Sequence, residues 1–332
     1  MPSLTTLVDG TVPVAADFNT NFQALNNAIG SLTAISAWAT GEMPYASSAN
    51  TWSRLSPGSA GQVLTMGASV PAWAAATGVV DQLCGLAMSN GSDATNDIDI
   101  SVGAAASDDA TYANRILMTL TSGLTKQLDA AWAVGTNQGG RDTGSIADGT
   151  WHVFLIERVD TGVVDVLFSA SATAPTLPTS YTKQRRIGSI LREAGAIVAF
   201  TQDADEFLRS TPVLDVDITN PGTSAVTRTL KVPTGVKVRA MLNVEFIPAT
   251  STQNALYLSS LDVTDGAASL TVAPLGTAIG GTTSAINAIA GGVPATIRTN
   301  TSAQIRSRMA TSAAGDTLRI ATLGWVDRRG KG

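Results

Sequence analysis

The 332-residue sequence holds one histidine, His152, and one cysteine, Cys84. Those two counts bound most of the chemistry available to the chain. Nucleophilic catalysis of the Ser-His-Asp type has to run through His152. That residue sits inside "TWHVFLIERV", an apolar run, where a buried structural histidine is the expectation. A single thiol allows no disulfide within the chain, and a zinc cluster needs several Cys or His ligands. Asp93, Asn96, Asp97 and Asp99 have the composition of a calcium loop but neither the EF-hand spacing nor its terminal Glu. "GTNQGG" lacks the G-x-G-x-x-G order and a following helix. Asp203, Asp205 and Glu206 read as a solvated acidic turn, because glycosidic chemistry needs two opposed carboxyls about 5 to 10 Å apart and adjacency does not supply that. The reading therefore assigns no catalytic, metal-ligating or cofactor-binding residue, no cofactor and no enzymatic activity.

Binding chemistry is better represented. Arg185 and Arg186, with Tyr181 and Lys183, form the main basic cluster and offer an anion or glycan site. In an extended run the two arginines point to opposite faces, so at least one is expected in a structural ion pair or over a sheet edge. Trp132 in "LDAAWAVG" is able to stack on a sugar, with core packing as the plainer alternative. The net charge of −5 argues against nucleic acid, which needs a basic stripe, and against a polybasic membrane anchor. "MPSLTTLVDGTVPVAADF" has neither the basic region nor the apolar core of a signal peptide, and no run of about 18 apolar residues predicts a membrane span. The expectation is a chain made in a cytoplasm.

The elements that carry these residues follow from periodicity. Phe18, Phe22, Leu25, Ile29 and Leu32 repeat at the heptad spacing of a helical seam, which predicts a helix over about 14–34. The seam is too short for an isolated helix, so it is read as a parallel bundle of chains or as a helix packed on its own domain. Between Gly41 and Pro71 lies a nearly uncharged Ser/Ala/Gly/Thr stretch punctuated by Trp52, Leu55, Val63, Leu64 and Met66. A free linker has no use for such side chains. An ordered neck whose anchors bury against neighbouring chains is expected. Charged residues are 14% of the chain and aromatics 5%, while hydrophobics reach 44%, much of it Ala. So few large side chains make a thin core and point the same way.

From Leu83 the period becomes two. Trp151, Val153 and Leu155 alternate with His152, Phe154 and Ile156, and both sets are mostly apolar, so this strand is expected inside a sandwich and paired across "DTG" with "GVVDVLFSAS". "GTNQGGRDTGS" reads as a loop, and two short strands flank "REAG". "LRSTP" at 208–212 reads as a boundary. Beyond it, Val236 through Phe246 alternate cleanly, "PVLDVDI", "NALYLSSLDV", "SLTVAPL", "AQIRSRMA" and "TLRIATLGWVD" read as strands, and "GTAIGGTTSAINAIAGG" as a loop. The expected class is mainly β. Its parts are a helical attachment and trimerisation segment at 1–36, a neck at 37–82, a β-sandwich at 83–211 and a second, jelly-roll-like sandwich at 212–332.

Three stretches resemble the tail-fibre proteins of tailed bacteriophages. They are "GEMPYASSANTWSRLSPGSAGQVLTMGASVPAW", the pair "TKQLDAAWAVGTNQGGRDTGSIADGTWHVFLIERVDTGVVDVLFSAS" and "LPTSYTKQRRIGSI", and the ending "LGWVDRRG". The resemblance implies a non-enzymatic homotrimer in the virion tail, bound to a tail or baseplate protein through its N-terminal part and exposed to host surface polysaccharide at the other end. Phe18, Phe22, Leu25, Ile29, Leu32 and Trp52 become the expected trimer contacts. A purely structural fibre-base or baseplate adaptor is the alternative, and a depolymerase spike is disfavoured because no β-helix repeat is visible.

Overall fold

The computed structural model describes residues 19–25, 39–48, 51–59, 62–75, 78–249, 253–280 and 291–331. Residues 19–25 are helical. The chain divides into two compact units, Met1–Ala76 and Thr77–Gly332.

In the first unit β1 (Met43–Ser48) pairs with β2 (Thr51–Leu55), and β3 (Gln62–Met66) with β4 (Pro71–Ala75), both antiparallel. The expected neck thus contains two hairpins, and β3 and β4 are joined by a turn that Gly67 N–H closes onto Val70 O at 2.8 Å. Trp73 Nε1 donates to Ser56 O at 2.7 Å, and a β-carbon at Gly58 would stand 2.6 Å from the Trp73 ring. The small residues admit the indole. Residues 78–82 belong to the second unit, so the neck ends earlier than 82.

The second unit opens with β5 (Leu83–Gly85), β6 (Met88–Asn90), β7 (Asp97–Ile100), β8 (Gly103–Ala106), β9 (Leu117–Leu120), β10 (Leu124–Ala131) and β11 (Gln138–Arg141). It continues with β12 (Gly149–Arg158), β13 (Val163–Ser169), β14 (Lys183–Glu193), β15 (Ala196–Ile197), β16 (Phe200–Asp203), β17 (Glu206–Thr219) and β18 (Val226–Thr229). β19 (Arg239–Ile247), β20 (Asn254–Ser259), β21 (Ala278–Gly280), β22 (Gly291–Arg298), β23 (Gln304–Met309) and β24 (Thr317–Val326) complete it. One sheet has the order β15-β14-β12-β13-β11-β10-β7-β6. A second runs β16-β17-β24-β19-β22, a third β18-β23-β20-β21, and β5-β8-β9 form a fourth. The fold is mainly β.

β12 and β13 form the expected antiparallel hairpin. Both faces of β12 are buried: Trp151, Val153 and Leu155 join the main core, while Phe154 and Ile156 join a smaller one with Leu167 and Tyr181. A strand covered on both sides has no solvated face to mark with polar residues, hence its unbroken apolar run. In β19 the alternation is one-sided. Ala240, Leu242, Val244 and Phe246 are buried, and Arg239 and Asn243 are exposed.

Four expectations need correction. The proposed break at 211/212 falls inside β17, which pairs with β24 on both sides of it. Main-core residues come from both halves, Trp151 and Leu155 with Phe207, Val216, Leu242 and Leu258, so 83–211 and 212–332 share one core rather than closing two. What "LRSTP" marks is a register shift between Leu208 and Val213, because Pro212 cannot donate to a ladder. "GTNQGGRDTGS" is not all loop: β11 runs parallel to both β10 and β13. "SLTVAPL" forms bends and irregular backbone rather than a strand. The loop expected over 276–292 contains β21 and the start of β22 at its ends, and 281–290 lie outside the described residues.

Candidate functional site: a cleft walled by Trp132 and Tyr181

The smaller core carries the site. Phe154, Ile156 and Leu167 form its base, and Trp132 and Leu177 pack against it. Trp132 follows directly on β10. Its backbone N–H donates to Arg141 O at 2.8 Å and that of Ala133 to Gly139 O at 2.9 Å, so β11 holds the turn. Gly139 is required there by close approach, since a β-carbon would collide with Ala131 O.

Two buried charges pin this turn from below. Lys126 Nζ lies 2.9 Å from Asp165 Oδ1, donates to Ala133 O at 2.7 Å, and stands 5.3 Å from the centre of the Trp132 ring. Asp165 in turn accepts from the backbone N–H of Gly135 at 2.8 Å and of Val166 at 2.6 Å. Burial pulls the Lys126 ammonium below its ordinary value, and the Asp165 carboxylate opposes that fall. The indole N–H of Trp132 donates to Val166 O at 3.1 Å, and Tyr181 meets the ring edge-on, centroids 5.1 Å apart at 76°. The indole is thus held through its N–H, against Tyr181 and beside the Lys126 ammonium, which fixes the ring's orientation.

Above this base lies a cleft of about 730 Å³. Trp132, Tyr181, Leu177 and Pro178 give it apolar walls, and Asp142, Arg158, Thr161, Thr176 and Thr179 line its polar side. Asp142 accepts from the backbone N–H groups of Thr143 at 2.7 Å and Thr176 at 3.0 Å. Arg158 is engaged by Asp160 through two bonds of 2.9 and 2.7 Å. A second cleft, of about 590 Å³, runs beside Asp148, Arg192, Glu193, Asp215 and Lys231. It has no aromatic wall, and four of its charges have internal partners: Arg192 and Asp148 pair with each other at 2.7 Å, Glu193 pairs with Arg209 at 2.8 Å, and Asp215 accepts from Thr322 Oγ1 and the Lys231 N–H.

The basic cluster expected around Arg185 is dispersed. Tyr181 turns into the cleft wall, Lys183 pairs with Asp109 at 2.7 Å, and Arg186 makes a bidentate pair with Asp327 at 2.6 and 2.7 Å. Arg185 is buried with Asp81 at 3.9 Å. Lys183 and Arg186 are therefore taken up in internal pairs, and the four residues do not form one cluster. Asp93 instead caps a turn through the Thr95 N–H and the Asn96 side chain, and Asp99 accepts from Thr125. Asp205 pairs with Lys331. Among the described residues no group of three or more His, Cys, Asp or Glu side chains is arranged to hold a metal.

His152, Ser189 and Asp327 do come together, in an order unlike a catalytic triad. Ser189 Oγ lies between the other two, 2.9 Å from His152 Nδ1 and 3.4 Å from Asp327 Oδ2, and all three are buried. Arg186 Nη1 also donates to Ser189 Oγ at 2.9 Å. The imidazole is oriented by the serine rather than by the carboxylate, and all three side chains are buried in the single chain. Burial first, then the positive Arg186, pull His152 down to about 4, against the attraction of Asp327. The imidazole is neutral at ordinary pH.

Of the expected trimer contacts, Phe22 is 73% exposed, Leu25 54% and Trp52 59% in the single chain. Phe18, Ile29 and Leu32 lie outside the described residues. Sequence reading singled out Trp132 but not its companions Asp142, Arg158, Thr161, Thr176 and Leu177. The available signal was the second apolar face of β12, which demands a second core.

No protein-family profile matches the chain, and no curated protein matches it. One solved structure it is compared with is the VP2 subviral particle of infectious bursal disease virus. The identity is 13% over 75% of this chain and 72% of that one, with a TM-score of 0.14, too low to carry an argument about fold or function.

Proposed function

We propose that this chain is a virion structural protein: a homotrimeric tail fibre that attaches the particle to carbohydrate on the host cell surface. The resemblance of its neck, middle and terminal motifs to phage tail fibres motivates the reading. The observation that carries it is the apolar surface of the first unit. Trp52 is 59% exposed and Met66 74%, on two-stranded hairpins that are too small to be stable alone. Small residues let such hairpins approach one another closely, and Trp52, Leu64, Met66, Phe22 and Leu25 supply the area that other copies would cover. The N-terminal part would meet a tail or baseplate protein, and the second unit would face the host. Loop contacts of modest strength, summed over three chains, suffice for firm attachment.

Light scattering behind size exclusion tests assembly: the expected mass is three times 34.0 kDa, and a monomer overturns it. Fluorescently labelled protein on susceptible cells tests attachment. A trimer that leaves those cells unstained overturns receptor binding and leaves a positioning part of the tail.

A further inference from the structure

We propose that the cleft over Trp132 is a binding site for one uncharged pyranose ring, stacked on the indole and read by a rim of threonine hydroxyls with Asp142 as acceptor. This rests on the carbohydrate-attachment reading and goes further, to a place and a chemical class.

The cleft's two sides define the ligand. The Trp132–Tyr181–Leu177 side is apolar, with the indole as one face and Tyr181 set edge-on to it at 76°. Thr161, Thr176 and Thr179 make no side-chain hydrogen bond among the described residues, so their hydroxyls are free to donate and accept. An aliphatic ligand would strip water from those hydroxyls and from Asp142 without replacing its bonds. A pyranose has one apolar C–H face and a periphery of hydroxyls, and it satisfies both sides at once.

Charge narrows the class. An acidic sugar or a phosphate needs an unmatched cation, and among the described residues none lines the cleft. The Arg158 guanidinium is held by Asp160 through two bonds, and the buried Lys126 is matched by Asp165. The two charged residues of the lining, Asp142 and Arg158, balance, so the lining carries no net charge to draw an anion. A cation is disfavoured for a different reason. The Lys126 ammonium lies 5.3 Å from the Trp132 ring centre and already occupies the attraction that ring offers. What remains is an uncharged polyol with one apolar face.

The site is also built before any ligand arrives. Lys126, Asp165, the Val166 carbonyl and Tyr181 all hold the indole, so little ordering is needed on binding.

The test uses the full chain and small probes: methyl glycosides of glucose, galactose and mannose, with glucuronic acid and N-acetylneuraminic acid as charged counterparts. Saturation-transfer NMR is expected to show at least one neutral glycoside binding in the millimolar range, with transfer to its C–H face, and no transfer to the acids. Thr176→Val leaves the base untouched and is expected to weaken that binding several-fold. Trp132→Phe is expected to weaken it about tenfold, with near-ultraviolet circular dichroism confirming that the fold survives. No transfer to any neutral glycoside, a preference for the acids, or full binding by Thr176→Val and Trp132→Phe together overturns the site. Cell staining separates this from the broader reading. Staining retained by a folded Trp132→Phe, Thr176→Val double variant removes the cleft but keeps attachment. Glycoside transfer without staining of cells keeps the cleft and removes attachment.

Discussion

Buried polar side chains do the residue-scale work of this molecule. The Arg186–Asp327 pair ties β14 to the segment after β24, and Arg329 extends the tie by donating to Ile187 O at 2.7 Å, Leu86 O at 2.5 Å and Gly85 O at 3.1 Å. Removing one partner strands a charge in the interior. Arg186→Leu is therefore expected to lower stability by about 3 to 5 kcal/mol in urea unfolding, and Arg186→Leu with Asp327→Leu by clearly less. His152 has a titration signature. Its folded value is depressed from 6.5 to about 4, so the unfolded chain binds the proton first. The stability this neutral histidine contributes is fully present above about pH 6.5 and is lost as pH falls from there through about 4. The difference between the protein and its His152→Gln variant is expected to change by roughly 3 kcal/mol across that window. Equal pH profiles for the two proteins would remove the histidine from the account.

At the scale of elements, the strands that a hydrophobic pattern specifies were legible and the ones specified by backbone approach were not. β12, β13 and β19 are visible as period-two runs because side chains on a pleated strand alternate between faces. β11 is four residues, Gln138–Arg141, two of them glycine, and has almost no side-chain pattern to read. It lies between β10 and β13, where a β-carbon at Gly139 would collide with Ala131 O and one at Gly140 would stand 2.7 Å from the Phe168 ring. Gly139→Ala is expected to push the turn after β10 away from Ala131 O, costing about 2 kcal/mol and abolishing ligand binding at Trp132. Thermal unfolding and glycoside titration of that variant check both. The false boundary at 208–212 has the opposite origin. Pro212 and the cluster around it do interrupt the ladder, but β24 bridges the interruption, and a local irregularity in sequence looks the same whether or not a partner strand spans it.

For the whole molecule, the shared core of residues 77–332 predicts a single cooperative transition for that unit. A fragment ending at 211 loses Val216, Leu242, Leu258 and Trp325 from its core and is expected to lack a sigmoidal melt. Assembly is argued from the other unit. Phe22→Asp with Leu25→Asp puts charge on a seam that, in a trimer, would be apolar, and the scattering mass is expected to fall from trimer towards monomer. An unchanged mass would take the helix out of the assembly while leaving the hairpins.

Read alone, the chain's composition and periodicity settle its class: alternating apolar residues, frequent turn formers and few long helical patterns admit little other than a mainly β protein. They also place His152 inside, since an isolated imidazole in an apolar strand has nowhere else to go. These are local properties, set by neighbours in the chain. The partners of Arg186, the continuity of the core past Pro212, and the meeting of Trp132, Tyr181 and Asp142 around one cleft are not local. Residue 158 ends β12, and 132, 142, 176 and 181 come from the connections that follow β10, β11 and β13. Only the order in which β10 to β14 lie side by side brings them within reach of one ligand, and strand order depends on which distant faces bury one another, a property that no short window of sequence carries.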